Sequence, residues 1–301
     1  MKSPIWKRLS MYLPGIGGYI RRVAEYERFV RHGHYYSPCI SLEELRAREA
    51  EIFPTGRRDI AGIDLRETDQ LALLAEIGAL VRHHGLERTK APGRRYYWDN
   101  EYYQLTDALV LLGMLRRERP RRIIEVGSGF TSALMLDMRP GDLDASTQFT
   151  FIEPHPERLH ALLSDDDRAS ARIIAEPVQR VAHTVFSELE PGDFLLIDSS
   201  HVSRIGSDVN DLFFEVLPRL PAGVLIHVHD IFYPFEYPRD WLMAGRYWNE
   251  AYLLRALLMG NPGLRVELFT HMLEVLHPAA LAAALPGTQG QRGGAIYLRR
   301  V

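Results

Sequence analysis

The sequence has few of the features that mark several classes of protein. Cys39 is the only cysteine among 301 residues, which excludes an intrachain disulfide and a zinc site built from clustered cysteines. A single cysteine suits a reducing compartment, so we expect a cytoplasmic protein. Lys and Arg total 36 and Asp and Glu total 39, and a net charge of −3 gives no general attraction for nucleic acid.

Long apolar runs are absent as well. No stretch approaches the ~18 residues that cross a bilayer, so we expect no integral membrane segment. Residues 1–22 place basic residues around apolar ones, which fits a secretory signal, a helix on a membrane surface or an amphipathic helix docked on the protein itself. Because Pro14 and three glycines interrupt the apolar part, we favour the docked helix.

The pattern of the chain changes near residue 115. Upstream, apolar residues recur at helical spacing, and Ser41 with Glu44 forms the pattern of a capping box. Downstream, short β-branched runs alternate with helical segments. We therefore expect an N-terminal helical cap or accessory region at 1–115 and one α/β domain at 116–301.

Seven runs in the second region are predicted strands. They are RRIIEVG, FTFIEP, ARIIAE, DFLLIDSS, GVLIHVHD, RVELF and AIYLRR. Strands alternating with helices predict a doubly wound, Rossmann-like sheet that is mostly parallel and covered on both faces. The last two runs lack a strong crossover helix, since LPGTQGQRGG between them is loop-like, so we expect one of them to run antiparallel.

The first predicted strand leads into a glycine-rich turn. Ligands of such sheets bind beyond the carboxyl ends of the strands, where Glu125, Gly127 and Gly129 stand in EVGSGFTS. Glycines allow the backbone to turn tightly and approach a ligand. Glu153 ends the second strand, and a carboxylate at that place can accept both hydroxyls of a ribose.

Two nucleoside ligands fit this arrangement. A dinucleotide usually requires G-x-G-x-x-G or A, and Ser132 at the third position weakens that interpretation. S-adenosylmethionine has no phosphate and requires only the turn and the carboxylates. Glu125 beside the turn also suits a sulfonium and an amino group better than a pyrophosphate.

The segments RRIIEVGSGFTSALMLD, FTFIEPHPERL, DFLLIDSSH and GVLIHVHDIFYPFEYP together resemble the class I S-adenosylmethionine-dependent methyltransferases. More narrowly, they resemble the small-molecule group called methyltransferase family 24. The resemblance implies a seven-stranded sheet with its last strand antiparallel. It also implies these cofactor contacts: Glu125, Gly127, Ser128 and Gly129 around the methionine moiety, Glu153 on the ribose, and Glu176, Pro177 and Val178 beside the adenine.

Polar side chains end the fourth and fifth predicted strands. Asp198 and His201 follow DFLLI, and His229 and Asp230 end GVLIHVHD. The two strands are neighbours in a doubly wound sheet, so we expect these four groups to converge at the edge of the cofactor pocket, where Asp198 would also contact the cofactor. His227 alternates with His229 on one face and is expected to pack more deeply.

Two mechanisms fit this cluster. An imidazole of His201 or His229 could act as general base for an alcohol acceptor. Alternatively, Asp198, His229 and Asp230 could bind a divalent metal ion that lowers the pKa of the acceptor hydroxyl. Mixed His and Asp ligands suit a transition metal at least as well as Mg²⁺.

An unusually aromatic segment, IFYPFEYPRDWLMAGRYW, follows the fifth predicted strand. Its position at the strand end suits a wall or lid over a substrate, and its composition equally suits a plug that packs against the sheet.

The sequence therefore predicts an enzyme that transfers a methyl group from S-adenosylmethionine to a small-molecule acceptor, at a hydroxyl oxygen. The alternatives are a C- or N-methyltransferase of the same fold, an NAD-type oxidoreductase, and a nucleoside-binding scaffold without turnover. The N-terminal region would cap the pocket or contact a second copy in a homodimer.

Overall fold

A computed structural model describes residues 18, 29–138 and 141–301. The amphipathic segment predicted at residues 1–22 lies outside the described residues, apart from Gly18. The chain divides into two compact units. The first contains residues 29–55 and Arg239–Tyr247, and the second contains Gly56–Pro238 and Trp248–Val301.

The described α-helices are α1 (Leu42–Ala47), α2 (Glu49–Ile52), α3 (Glu67–Val81), α4 (Leu105–Glu118), α5 (Phe130–Met138), α6 (Glu157–Leu162), α7 (Asp165–Ser170), α8 (Asp208–Asp211), α9 (Arg239–Met243), α10 (Glu250–Leu258), α11 (Thr270–Leu276) and α12 (Pro278–Ala284). The strands are β1 (Arg122–Val126), β2 (Gln148–Ile152), β3 (Arg172–Ile174), β4 (Phe194–Ile197), β5 (Leu225–Val228), β6 (Leu264–Phe269) and β7 (Ile296–Arg300). In the described part of the chain, no helix has the length and apolar character that a membrane crossing requires.

The strands form one sheet in the order β3-β2-β1-β4-β5-β7-β6. The first five are parallel, and β7 is antiparallel to both β5 and β6. This confirms the predicted fold class and the antiparallel late strand. The chain reverses its direction across the sheet between β1 and β4, so these neighbours carry their following loops to opposite sides and leave a crevice at their carboxyl ends.

Burial explains the apolar composition of the central strands. Every residue of β4 and β5 is buried, because helices cover both faces of the sheet. Helix α4 is almost as apolar, with Leu105–Leu115 buried throughout, and α3 packs against α4, α12 and β6 within the same compact unit. The core therefore lies along the sheet and includes helices from upstream of residue 115.

The connection between β6 and β7 differs from the expected loop. It contains α11 and α12 before the predicted loop LPGTQGQRGG begins. The sequence signals these helices only weakly, because HMLEVLHPAALAAAL is short and His277-Pro278 interrupts it. The chain nevertheless enters β7 antiparallel, as predicted.

The segment after β4 is helical but does not form one regular α-helix. Helix α8 is α-helical for one turn, continues as a π-helix over Leu212–Val216 and ends as a 3-10 helix over Leu217–Arg219. Pro218 has no N–H with which to continue the α-helical ladder. At α1, the predicted cap is confirmed, because the hydroxyl of Ser41 accepts a hydrogen bond of 3.1 Å from the amide of Glu44.

Gly127 follows β1 and lies against the backbone of Asp198, the first residue after β4. Its φ is +82°, and a Cβ at this position would lie 1.9 Å from the carbonyl oxygen of Asp198. The sheet therefore requires glycine here for two reasons, the left-handed backbone and the close approach of the next strand.

We predict that Gly127→Ala lowers the free energy of unfolding well beyond the loss in Gly192→Ala. Gly192 has a similar φ of +89° but no atom within 4 Å of an added Cβ, so it measures the backbone penalty alone. That penalty is about 1–2 kcal/mol, and the overlap at Gly127 adds about 1–3 kcal/mol. Urea unfolding of the two variants checks this, and equal losses would contradict it.

Candidate active site

A cavity of about 390 Å³ opens at the carboxyl ends of the strands, at the crevice between β1 and β4. Its lining includes five of the residues predicted to contact a cofactor, namely Gly127, Glu153, Pro177, Val178 and Asp198. The remaining wall comes from the last residues of β1 and β2, from Gln179 after β3 and from the loops after β2 and β4. The volume lies within the range of about 300–1,000 Å³ that is usual for small-molecule sites.

Glu153 ties together the loops after β1 and β2. One carboxylate oxygen accepts a hydrogen bond of 3.1 Å from the amide of Ser128, and the other accepts one of 2.8 Å from the amide of His155. Each oxygen keeps a further lone pair. The carboxylate therefore fixes the glycine-rich turn and still offers acceptors to a molecule in the cavity.

Glu125 lies behind the turn. It is buried, and its carboxyl oxygens accept hydrogen bonds from the hydroxyls of Thr131 and Ser132 at the start of α5. Burial raises the pKa of Glu125 to about 8, although these hydroxyls oppose the shift. Glu125 does not line the cavity, so in this structure it supports the turn from inside the protein.

Three other predicted cofactor contacts also lie outside the cavity lining. Ser128 and Gly129 form the turn itself, and Gly129 donates its amide hydrogen to the hydroxyl of Ser132 at 3.0 Å. Glu176 is exposed and lies 3.9 Å from the guanidinium of Arg180. Its neighbours Pro177 and Val178 do form the wall after β3.

Asp198, His201 and Asp230 form a compact cluster beside the cavity. The Nε2 atom of His201 lies 3.3 Å from Oδ1 of Asp198 and 3.5 Å from Oδ2 of Asp230. One potential ligand atom from each residue lies within 4.8 Å of the other two, so the three residues are close enough together to hold one cation. Because Asp198 also lines the cavity, the cluster and the cavity share a side chain.

His229 reaches the same two carboxylates from β5. Its Nδ1 atom lies 3.5 Å from Oδ1 of Asp198 and 3.8 Å from Oδ2 of Asp230. That nitrogen is buried and has no hydrogen-bond partner. The structure thus brings together all four side chains predicted at the strand ends, with His201 beside the three predicted metal ligands.

The backbone at this cluster is strained. His201 and Asp230 have φ values of 59° and 56°, in the left-handed region that residues other than glycine seldom adopt. Hydrogen bonds from the amides of Asn249 and Glu250 to the carbonyl of His201, at 3.1 and 3.2 Å, hold its conformation. Strain of this kind is concentrated at functional sites.

Two carboxylates that the sequence analysis missed stand behind the histidines. Glu250, the first residue of α10, is fully buried, and its Oε2 lies 2.8 Å from Nδ1 of His201. Asp107 is buried on α4, and its Oδ2 lies 3.6 Å from Nε2 of His229. A charged residue inside the apolar run LTDALVLLGML was the available signal for Asp107, whereas Glu250 resembles an ordinary first-turn residue.

His227 lies deeper than His229, as predicted. Its ring is 4.8 Å from that of Tyr297 and 5.9 Å from that of His229, measured between centroids. Burial, together with the neighbouring His229, lowers the pKa of His227 to about 3. His227 is therefore a neutral residue of the core.

The carboxylates determine the charge of the other two histidines. Burial opposes protonation of His201, but its hydrogen bonds with Asp198 and Glu250 raise its pKa to about 10. Burial likewise opposes protonation of His229, yet Asp230 and Asp198 raise its pKa well above the ordinary value. In turn, the imidazoles hold the pKa of Asp198 below its ordinary value despite burial. Both histidines are thus cationic at neutral pH unless another cation replaces their protons.

The first half of the aromatic segment is part of the core. Phe232, Tyr233, Phe235 and Tyr237 are all buried, and Phe232 packs against His271 with ring centroids 5.3 Å apart. The aromatic segment was predicted to form either a lid over a substrate or a plug that packs against the sheet, and the burial of these residues supports the plug. Trp248, at its end, packs against His201 at 4.4 Å between centroids.

We predict that stability in the presence of a chelator falls as the pH rises from about 6.5 to about 10. The folded-state pKa of His201 is raised to about 10, so its contribution is complete below the unfolded value of 6.5 and is lost as the pH passes the folded value. Urea unfolding across this range measures the effect. In Glu250→Gln the histidine loses one partner, and the decline should be smaller. Equal pH dependence in both proteins would contradict the assignment.

Comparisons with known proteins identify relatives of the part of the chain that forms this site. A family described as a methyltransferase domain matches residues 124–231, which span β1 to the end of the cluster. An uncharacterised protein of Archaeoglobus fulgidus is 33% identical over 167 residues, which cover 52% of this chain and 72% of that protein.

Solved structures with a similar arrangement include two O-methyltransferases. The TDP-rhamnose 3′-O-methyltransferase of calicheamicin biosynthesis is 15% identical, with 81% of this chain and 97% of that one covered and a TM-score of 0.43. The O-methyltransferase of Bacillus cereus, solved with S-adenosylhomocysteine, is 12% identical, with 86% and 97% covered and a TM-score of 0.41.

The family match includes the turn after β1 and the ends of β2, β4 and β5. The match with the relative covers more than two thirds of that protein's length at 33% identity. The chain therefore belongs to the methyltransferase-domain family, as a class I S-adenosylmethionine-dependent methyltransferase.

Proposed function

We propose that this enzyme transfers the methyl group of S-adenosylmethionine to a hydroxyl oxygen of a small-molecule acceptor. The observation that carries the proposal is that Asp198 lines the cavity and also contacts His201 and His229. A methyl donor in the cavity would thus lie beside groups that can make an acceptor hydroxyl nucleophilic. Methyl transfer requires this proximity and alignment above all else.

The residues around the cavity fit the donor. Gly127 lines the cavity at the turn, and Glu153 offers carboxylate oxygens at the end of β2, where a ribose diol is held in sheets of this kind. We assign the adenine to the wall that includes Pro177 and Val178. When bound, S-adenosylmethionine supplies an electrophilic methyl carbon, and the chain positions that carbon and excludes water from it.

The cluster also fits a divalent cation. Two aspartates and an imidazole nitrogen converge, and the buried Nδ1 of His229 has no partner. A bound cation would lower the pKa of the acceptor hydroxyl. We therefore assign cation binding to Asp198, His201 and Asp230, with His229 beside them.

General base catalysis by His201 or His229 is the second mechanism that we considered. The raised pKa values of both imidazoles oppose it, because a cationic imidazole cannot accept a proton. This favours the cation over the base.

The remaining assignments belong to the same proposal. We keep 116–301 as the methyltransferase domain and 1–115 as an accessory region that caps the pocket or contacts a second copy. Helices α3 and α4 of that region lie in the same compact unit as the sheet. The single cysteine supports a cytoplasmic location.

We predict that S-adenosylhomocysteine binds the wild-type protein and that Glu153→Gln weakens binding about 10-fold or more, since the amide is a poorer acceptor for the ribose hydroxyls. Glu176→Gln is the matched control, because Glu176 is exposed outside the cavity, and it should bind as the wild type does. Titration calorimetry measures both. Binding of NAD in place of S-adenosylhomocysteine would overturn the assignment of the cavity.

We also predict that methyl transfer depends on a metal. Isotope-labelled S-adenosylmethionine, incubated with panels of hydroxylated small molecules, should label a product, and a chelator should abolish labelling until a divalent ion is restored. Asp230→Asn should lower the rate in the same assay. Labelling that persists unchanged in chelator would assign the reaction to a general base, and labelling confined to carbon or nitrogen acceptors would overturn O-methylation.

A further inference from the structure

The two histidines of the cluster make equivalent contacts, but each uses the opposite ring nitrogen for a given contact. His201 directs Nε2 towards Asp198 and Asp230 and Nδ1 towards Glu250, while His229 directs Nδ1 towards the same two aspartates and Nε2 towards Asp107. Each imidazole thus stands between the aspartates and one buried carboxylate. Carboxylates in this outer position orient metal-binding histidines and select their tautomer.

The outer carboxylates are themselves held in place. The second oxygen of Glu250 accepts a hydrogen bond of 2.8 Å from the hydroxyl of Ser199. Asp107 accepts one of 2.8 Å from the amide of Gly294 and one of 3.1 Å from the hydroxyl of Thr270. Because neither carboxylate is free to turn, each can hold its imidazole in one orientation.

The inner atoms lie at, or up to about 0.4 Å beyond, the spacing of metal ligands. An ion about 2.1 Å from each donor separates adjacent donors by about 3.0–3.4 Å, depending on its geometry. The four separations between an imidazole nitrogen and an aspartate oxygen are 3.3, 3.5, 3.5 and 3.8 Å. The buried Nδ1 of His229 lies 3.5 Å from Asp198 and 3.8 Å from Asp230 without a hydrogen bond, and a ligand between these groups would satisfy it.

We propose that Asp198, Asp230, His201 and His229 form a site for a first-row transition metal ion, and that Glu250 and Asp107 are its positioning residues. This inference rests on the proposed role of the cluster as a cation site and goes beyond it in naming the class of metal. Mg²⁺ prefers oxygen ligands, whereas imidazole nitrogens favour Mn²⁺, Fe²⁺, Co²⁺ or Zn²⁺. Two oriented imidazoles therefore select against Mg²⁺.

Cobalt is the probe for the class of metal. Metal-free full-length protein is titrated with Co²⁺ while its visible absorption is recorded, because the intensity of those bands reports nitrogen ligands and coordination number. We expect a saturable spectrum with one equivalent of Co²⁺ that a 100-fold excess of Mg²⁺ leaves in place. Displacement by an equal concentration of Mg²⁺, or a spectrum identical to that of aqueous Co²⁺, would overturn the proposal.

Glu250→Gln and Asp107→Asn test the positioning residues. Each keeps the size of the side chain and removes the charge, so a purely structural role would leave the Co²⁺ spectrum unchanged. We expect an altered spectrum and an affinity 10- to 100-fold lower. Asp211→Asn is the matched control, since it removes a carboxylate 3.3 Å from His183, outside the cluster, and should bind Co²⁺ as the wild type does.

Thermal unfolding confirms that each variant is folded, and the two variants address different histidines, so one suffices if the other does not fold. Unchanged affinity and spectrum in a folded variant would contradict its assignment. S-adenosylhomocysteine binding, measured on the same metal-free samples, separates the two proposals. If S-adenosylhomocysteine binds and Co²⁺ does not, the metal site fails and the donor site stands; if neither binds, both fail.

Discussion

The side-by-side pairing of β1, β4 and β5 is the constraint on which the site depends. Backbone hydrogen bonds between these parallel strands fix the relative positions of their carboxyl ends. The position of the residue that follows each strand is therefore also restricted. Gly127 follows β1, Asp198 follows β4, and His229 and Asp230 follow β5. The positions of the cavity and of the polar cluster therefore both depend on the hydrogen bonds between these strands.

Much of this could be predicted from the sequence because it depends on local pattern. Apolar β-branched runs identified the strands, their alternation with helices identified the parallel sheet, and the rule that ligands bind at strand ends identified the polar residues there. The antiparallel late strand was also predictable, although the two helices before it were not recognised. Their apolar residues are few, and the packing of α12 on α3 stabilises a helix that its own sequence defines weakly.

The partners of the histidines could not be predicted in this way. Asp107 and Glu250 come from helices far from the strands in sequence, and only tertiary packing brings them behind His229 and His201. The inward orientation of Glu125 could not be predicted either, because a residue at a strand end can face either the ligand or the core. Glu125 faces inward, where it is buried and its carboxyl oxygens accept hydrogen bonds from the hydroxyls of Thr131 and Ser132.

The link between His201 and α10 has a mechanical consequence. The carbonyl of His201 accepts hydrogen bonds from the first amides of that helix, and its ring contacts the first helical side chain, so both halves of the residue are anchored to one end of α10. Fraying of a single helical turn would release the imidazole while the sheet stayed intact. The geometry of the cluster is thus tied to local order at a helix end, and local opening of that end would disrupt it without global unfolding.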